Sequence, residues 1–210
     1  MKRSAVALSV VAIFLALLWL PSCSTTVKKK PETYAEVHST NPDYPANLSW
    51  NEIKSANAYL DVIEDAMHQR NAYFIDIANY PLKPDLNMLA NGGHWFGCGS
   101  SRSPSYPRMI SGQAIITLEI TAPRGEQIKP GTYPFDGASC NRNSQDKSLS
   151  YAGILFADST NSVKTADIAT GHVEVTSYDG NAIRGKFIFS GTDTTMTGEF
   201  NSPIAFKGLR

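Results

Sequence analysis

The chain has 210 residues, in which 19 Lys and Arg balance 19 Asp and Glu, and 42% of the residues are hydrophobic. A chain of this length can bury a full hydrophobic core as one domain. The balanced charge argues against nucleic acid as a partner, because DNA- and RNA-binding proteins present a strongly basic face.

Residues 1–22 have the build of a secretory signal peptide. A basic pair, Lys2 and Arg3, precedes a long and almost entirely apolar run. We therefore predict export and removal of this leader. An uncleaved transmembrane helix is the alternative, because the run approaches the ~17 residues needed to cross a bilayer. Pro21 and the small Ser22 end the run at a boundary typical of cleavage and favour the signal peptide.

The tetrad Leu20-Pro21-Ser22-Cys23 resembles the lipobox of bacterial lipoproteins. The resemblance implies that Cys23 carries a diacylglyceryl thioether and becomes the new N-terminus. Several acyl chains on one residue anchor a protein stably, whereas a single chain does not. Ser24 is not the Asp that retains such proteins in the inner membrane. The resemblance therefore implies an envelope protein anchored in the outer membrane, with the membrane as its first partner.

The two other cysteines, Cys98 and Cys140, form an even pair once Cys23 is lipidated. In an oxidising compartment such a pair predicts a disulfide, which the chain-entropy model values at about 3–4.7 kcal/mol. Two separate buried thiols are the alternative.

Residues 23–48 are polar and rich in proline, so they predict a lipidated cysteine followed by a flexible tether. Within this tether, Lys28, Lys29 and Lys30 form either a solvated spacer or a contact with anionic headgroups, where each charge is worth about 1 kcal/mol.

A single folded domain is predicted over residues 49–210. It opens with Ser49-Trp50-Asn51-Glu52, which has the form of a capping box and predicts the start of an amphipathic helix. Apolar residues then recur at helical spacing and predict a stripe that covers a sheet. These residues are Ile53, Ala56, Leu60, Ile63 and Met67.

After this helix the pattern becomes strand-like. Residues 73–80 are rich in aromatic and β-branched residues, and residues 113–121 alternate, which predicts one apolar face and one mostly solvated face. Pro134 within residues 131–135 predicts an edge strand, because proline cannot donate to a ladder. The continuous apolar run over residues 151–157 predicts a central strand.

The last third of the chain predicts a hairpin and a final strand. Alternating residues 172–176 and 183–190 flank the turn residues Asp179-Gly180-Asn181, and residues 196–204 follow. Loops rather than helices separate the strands. The fold class is therefore mainly β: an antiparallel sandwich or barrel-like meander with one N-terminal amphipathic helix.

Several glycine-plus-alternation segments give a second resemblance, which covers roughly the last 140 residues. Gly131-Thr132-Tyr133, the run Gly171 to Ser177, Ile183 to Phe187 and Gly198-Glu199-Phe200 resemble β-sandwich domains of unknown function in surface lipoproteins. The resemblance implies a fold and assigns no catalytic residue.

The segment from residue 81 to 108 lacks helix or strand periodicity and is the best place for a ligand site. Trp95, Arg102 and Tyr106 offer aromatic faces and a guanidinium to a glycan or a peptide. The alternative is that the aromatic residues plug one end of the sandwich while Cys98 fixes the loop.

Catalysis, metals and cofactors find little support in the sequence. Ser100 follows no nucleophile-elbow motif, the four histidines lack zinc spacing, and no phosphate loop is present. We predict no metal, no cofactor and a non-catalytic binding or structural module whose partner is an envelope protein or a glycan. The alternative is a hydrolase that uses His172 with Glu174, or His94.

Overall fold

The computed structural model describes residues 33–41, 47–50, 53, 55–65, 68–83, 108–123, 125–135, 148–166 and 168–207. These residues contain eleven β-strands and no helix. The strands are β1 (Tyr34–Ser39), β2 (Asn47–Trp50), β3 (Ser55–Asp65), β4 (His68–Ala78), β5 (Ala114–Thr121), β6 (Gly131–Pro134), β7 (Leu149–Ala157), β8 (Val163–Ala166), β9 (Thr170–Tyr178), β10 (Ala182–Ser190) and β11 (Thr194–Lys207).

The strands form two packed sheets that share β11. In sheet A the order is β6-β9-β10-β11-β1-β2, and in sheet B it is β11-β3-β4-β5-β7-β8. The first part of β11 pairs with β1 and β10, while its last residues, from Ile204, pair with β3. The β11–β3 pair is parallel, and the other described strand pairs are antiparallel. The mainly β, antiparallel prediction is confirmed.

One hydrophobic core lies between the sheets. Sheet A contributes large aromatic side chains, and sheet B contributes mostly β-branched ones, as expected for two inner faces that interdigitate. Tyr73 of β4 and Tyr178 of β9 link the sheets, since their hydroxyl oxygens lie 2.6 Å apart and their rings meet edge to face. The largest fully buried core side chains are Phe156, Phe189, Phe200, Ile75, Ile77, Ile116, Leu118, Ile120, Ile154 and Ile183.

The far edge of sheet A also meets sheet B, which gives the sandwich a barrel-like closure. Phe135, just after β6, forms a parallel bridge with Ser150 of β7, and the Ser150 hydroxyl donates to the Tyr133 carbonyl at 2.6 Å. β6 is the end strand of sheet A, as Pro134 predicts. The run over residues 151–157 lies in β7, between β5 and β8, so its prediction as a central strand is confirmed.

The helix predicted from Ser49 is wrong. Ser49 and Trp50 lie in β2, and residues 55–65 form β3, which pairs with β4 along its whole length. Residues 56–62 also have apolar residues at every second position, so the segment is compatible with both the helical and the strand period. Strand pairing on both sides of β3 decides between them, because tertiary contacts override a weak local preference.

β1 lies inside the segment predicted as a tether. It pairs with β11 from Tyr34 opposite Glu199 to Ser39 opposite Thr194, and it buries Ala35 and Val37 in the core. Residues Pro31–Arg210 form one compact unit. The fold therefore begins before residue 49, and the chain between Cys23 and the first strand is shorter than predicted.

Candidate functional site

The outer face of sheet A is polar and exposed. Along β10 the side chains alternate between buried and exposed, with Phe187 and Phe189 inward and Lys186 and Ile188 outward. β9 follows the same period, which confirms the predicted hairpin. This face carries the charged side chains of the sheet, so it is where sheet A can meet a polar ligand.

Glycine and phenylalanine pair across the strands on the inner face. Gly185 lies opposite Phe200, and Gly198 lies opposite Phe187. A Cβ atom at Gly185 would come within 2.6 Å of the Phe200 ring, and one at Gly198 within 2.5 Å of the Phe187 ring. Each ring therefore covers the backbone of the glycine opposite, an arrangement known as aromatic rescue.

A β-bulge interrupts the ladder between β9 and β10. Arg184 pairs with Ser177 and Gly185 with Val175, so Thr176 has no partner opposite it. Bulges bend a strand and occur often beside functional sites. The bulge borders an open depression of about 250 Å³, which we call the sheet A depression. Its lining residues are Thr176, Arg184, Gly185, Lys186, Glu199, Phe200 and Asn201.

The polar side chains of the sheet A depression carry both signs of charge. The Arg184 Nε donates to the Asn201 Oδ1 at 3.0 Å, which orients the guanidinium. Glu199 accepts from the Tyr34 hydroxyl at 3.3 Å. Lys186 lies in register between Glu174 and Glu199 and has no ion pair within the described residues. The depression therefore offers an oriented guanidinium, an ammonium group and a carboxylate.

The adjoining β9–β10 turn is held by one carboxylate. Asp179 Oδ1 accepts from the amides of Asn181 and Ala182, each at 2.8 Å, and these bonds lower the pKa of Asp179. Gly180 takes a φ of 81°, which L side chains rarely adopt. The turn is thus rigid, and it fixes the end of the sheet where the depression lies.

The predicted acid–base pair lies on the same outer face. His172 and Glu174 are two residues apart on β9, opposite Ile188 and Lys186 of β10. No hydrogen bond joins the two side chains in the described part of the structure. Their placement on one strand face agrees with the sequence pattern, and the hydrolase reading stays a prediction.

Sheet B differs because its second face, the one that points away from the core, is also buried. Here the prediction that residues 113–121 have one solvated face is wrong, since every residue of β5 is buried. Ile115 could have indicated that this face is buried, because it is an apolar residue among those assigned to the solvated face. A second apolar cluster covers this side and contains Ala78, Leu82, Met109, Ile115, Leu155 and Ala157.

Two carboxylates are buried on the second face of sheet B, which sequence reasoning missed. Asp76 is 1% exposed and accepts from the Thr117 hydroxyl at 2.6 Å. Glu119 is 5% exposed and accepts from the Thr121 hydroxyl at 3.3 Å. Hydroxyl donors offset part of the cost of burying a carboxylate.

A third polar group, the Tyr80 hydroxyl, lies near Asp76. The Tyr80 hydroxyl is buried and has no hydrogen-bond partner among the residues that the structure describes, and burial together with the charge of Asp76 raises the pKa of Tyr80 to about 12. Asp76, Thr117 and Tyr80 form a buried polar cluster rather than an accessible surface.

The segment predicted as a recognition loop starts and ends on this same second face. Leu82, at its start, and Met109, which follows it, are both buried there. The Asn79 side chain accepts from the Ala114 amide and donates to the Gly112 carbonyl, which joins the two ends. The predicted site residues His94, Trp95, Arg102 and Tyr106, together with Cys23, Cys98 and Cys140, lie outside the described residues.

No group of three or more His, Cys, Asp or Glu side chains in the described part of the chain could hold a metal ion. The described residues contain no helix with the length and apolar character needed to cross a membrane. No protein-family model matches the chain, and comparisons with curated proteins and with solved structures found no match.

Proposed function

We propose that this chain is a lipid-anchored envelope protein whose β-sandwich acts as a non-catalytic binding or structural module at a membrane surface. The tetrad ending at Cys23 supports the anchor. In a cell with two membranes, Ser24 supports the outer membrane as the destination.

The position of β1 is the observation that carries this proposal. Tyr34 begins the first strand only a short distance along the chain from Cys23. A lipidated Cys23 would therefore hold the sandwich close to the bilayer. Such a module meets its partners at the membrane surface, where a rigid sheet with an exposed polar face is well suited to binding.

The anchor is tested by the intact mass of the protein purified from its membrane in detergent. We expect a chain that begins at Cys23 and carries the mass of a diacylglyceryl group, with or without a third acyl chain. In the Cys23→Ser variant the acyl mass should be lost and the protein should leave the membrane fraction. A chain that retains Met1, or a bare thiol at position 23, would contradict the proposal.

The same mass measurement tests the predicted disulfide, because export to an oxidising compartment is its premise. We expect the unreduced protein to be lighter than the reduced protein by two hydrogen atoms. Replacing Cys98 and Cys140 together by Ser should remove this difference. Equal masses before and after reduction would contradict the bridge and leave the anchor unaffected.

The recognition role is tested by crosslinking in intact cells. We expect one envelope protein or glycan to be captured by the wild type, and capture to fall when Trp95 and Tyr106 are replaced by Ala. Thermal unfolding of the same variant is the control, since loss of a buried aromatic typically lowers stability by 3–5 kcal/mol, as an order of magnitude. Reduced capture with unchanged stability supports recognition by these side chains.

A further inference from the structure

The chain enters the fold at the rim of the sheet A depression. The Asn201 amide donates to the Thr33 hydroxyl at 3.1 Å, and the Tyr34 hydroxyl donates to Glu199. Asn201 and Glu199 both line the depression. The first described residues are therefore fixed to the wall of the depression.

The length of chain before Thr33 limits how far the depression can lie from an anchored Cys23. A fully extended chain spans at most ~3.3–3.6 Å per residue, so this stretch reaches about 35 Å, and a random coil of that length averages about 17 Å. The opposite end of sheet A, near Ser190 and Thr194, lies farther along β10 and β11 from the point where the chain enters, by about 20–24 Å. The depression is thus at the end of the sandwich nearest the membrane, an argument that rests on the proposed lipidation.

The side chains of the depression suit a phosphate. A guanidinium whose Nε is occupied by Asn201 keeps its two terminal nitrogens for a bidentate contact with phosphate oxygens. Lys186 lies two residues along the same outer face and adds a second cation. Both cations are exposed, so a ligand reaches them without any rearrangement of the sheet.

The same depression is not purely basic. Glu199 belongs to its lining, and Glu174 is in register with Lys186 on the neighbouring strand. A ligand with phosphate alone would meet these carboxylates unfavourably, whereas one that also carries a primary ammonium group would satisfy both charges. Phosphoethanolamine headgroups have this pair of charges and lie at the surface that the anchor would reach.

We propose that the sheet A depression docks a phosphoethanolamine headgroup of the membrane in which Cys23 is anchored. The phosphate contacts Arg184 and Lys186, and the ammonium group contacts Glu199. Docking orients the sandwich with this end towards the bilayer and leaves the opposite end exposed to partners.

Lysine acylation read by mass spectrometry tests this orientation. The lipidated full chain is labelled in detergent, on phosphocholine vesicles, and on phosphocholine vesicles with added phosphoethanolamine lipid. We expect Lys186 to react at least fivefold more slowly on the vesicles that contain phosphoethanolamine lipid than in detergent. The exposed Lys164 of β8 is the control, and it should react at the same rate in all three samples. Equal Lys186 rates in detergent and on both vesicles would overturn the inference, and equal slowing on both vesicles would overturn the choice of headgroup.

Two variants separate headgroup docking from simple proximity. In the double variant Arg184→Gln with Lys186→Gln, hydrogen exchange of the β9–β10 hairpin on phosphoethanolamine vesicles should rise to its detergent value. Lys164→Gln is the matched control and should keep the wild-type protection. Protection that survives the double variant would overturn the contacts.

The intact mass of the same samples distinguishes the two proposals. An acylated protein whose Lys186 is unprotected contradicts the headgroup site and leaves the anchor standing. A chain without acyl groups contradicts the anchor, and the inference fails with it.

Discussion

Sheets A and B of this sandwich differ in how many faces they bury. Sheet A buries one face and keeps the other in water, so its strands alternate between apolar and polar residues. Sheet B buries both faces of β5 and nearly all of β7. The difference shows that alternation identifies a strand reliably only where one side is wet, and that a buried second face can hold carboxylates as well as apolar side chains.

The sharpest test of this comparison uses four isoleucines. Ile116 of β5 faces the core, and Ile115 faces the second side of sheet B; both are 0% exposed. Replacing either by Ala should lower the free energy of unfolding by about 2–5 kcal/mol. In sheet A, Ile183→Ala should cost as much, whereas Ile188→Ala, at a side chain 46% exposed, should change stability by under about 0.5 kcal/mol.

These values are read from urea unfolding curves with the slope held common to all variants. If Ile115→Ala behaves like Ile188→Ala, the second face of sheet B is solvated and the comparison is wrong.

A smaller effect is expected when a hydroxyl is removed from the buried polar cluster. Thr117→Val keeps the shape of the side chain but takes a donor from Asp76, which should cost about 1.5–3 kcal/mol, because the bond is made to a charged group. Thr117→Ser retains the hydroxyl and is the matched control. Urea unfolding should place the Val variant clearly below the Ser variant, and equal stabilities would mean that this bond contributes nothing.

The inner face of sheet A is tested at a glycine. Gly198→Ala places a methyl group against the Phe187 ring and the Tyr34 carbonyl, so we expect a loss of about 1–3 kcal/mol from overpacking. Thr195→Ala, at an exposed position of the same strand, is the control and should cost under about 1 kcal/mol. Thermal unfolding measures both, and an unchanged midpoint for Gly198→Ala would exclude the close Gly–Phe contact.

The smallest effect concerns Tyr80. In the unfolded chain its hydroxyl loses a proton near the ordinary pKa of 10, while in the fold the pKa is about 12. Because the folded state holds the proton longer, the stability linked to Tyr80 is present below pH 10 and is lost as the pH rises towards 12. Tyr80→Phe should make the decline in stability over this range shallower.

At neutral pH the same variant removes a buried hydroxyl that has no partner within the described ranges, so stability should rise by about 1 kcal/mol. Tyr73, whose pKa is raised by burial and by its bond to Tyr178, titrates in the same direction and leaves a residual decline. An unchanged slope in Tyr80→Phe would exclude Tyr80 as a source of the alkaline effect.

Local pattern was sufficient for some elements and not for others. The β9–β10 hairpin could be predicted because Asp179 and Gly180 specify the turn and both strands have a wet face. β3 could not, since its residues fit a helix and a strand equally well. β1 could not be predicted either, because it lies in a proline-rich segment that is typical of a tether. The alternation of Ala35 and Val37 is short, and it becomes a strand only through pairing with β11.

In the candidate site too, local pattern predicts some features, and others depend on tertiary contacts. The sequence identified His172 and Glu174 as neighbours on one strand face, but it did not identify the sheet A depression. That depression needs the bulge at Thr176, the register of Arg184 against Asn201 and the return of Thr33 to β11. Register and bulges arise from pairing between distant segments, which no local window contains.

Local pattern was enough to predict a β-rich chain, its clearest turns and the residues that alternate along the strands with a wet face. Contacts between distant segments make residues 55–65 a strand, bury both faces of sheet B and bring the chain in beside Arg184 and Asn201. Side-chain period is a local property of the backbone, whereas burial depends on what packs against each face. A carboxylate such as Asp76 reads as a surface residue until its neighbours are known.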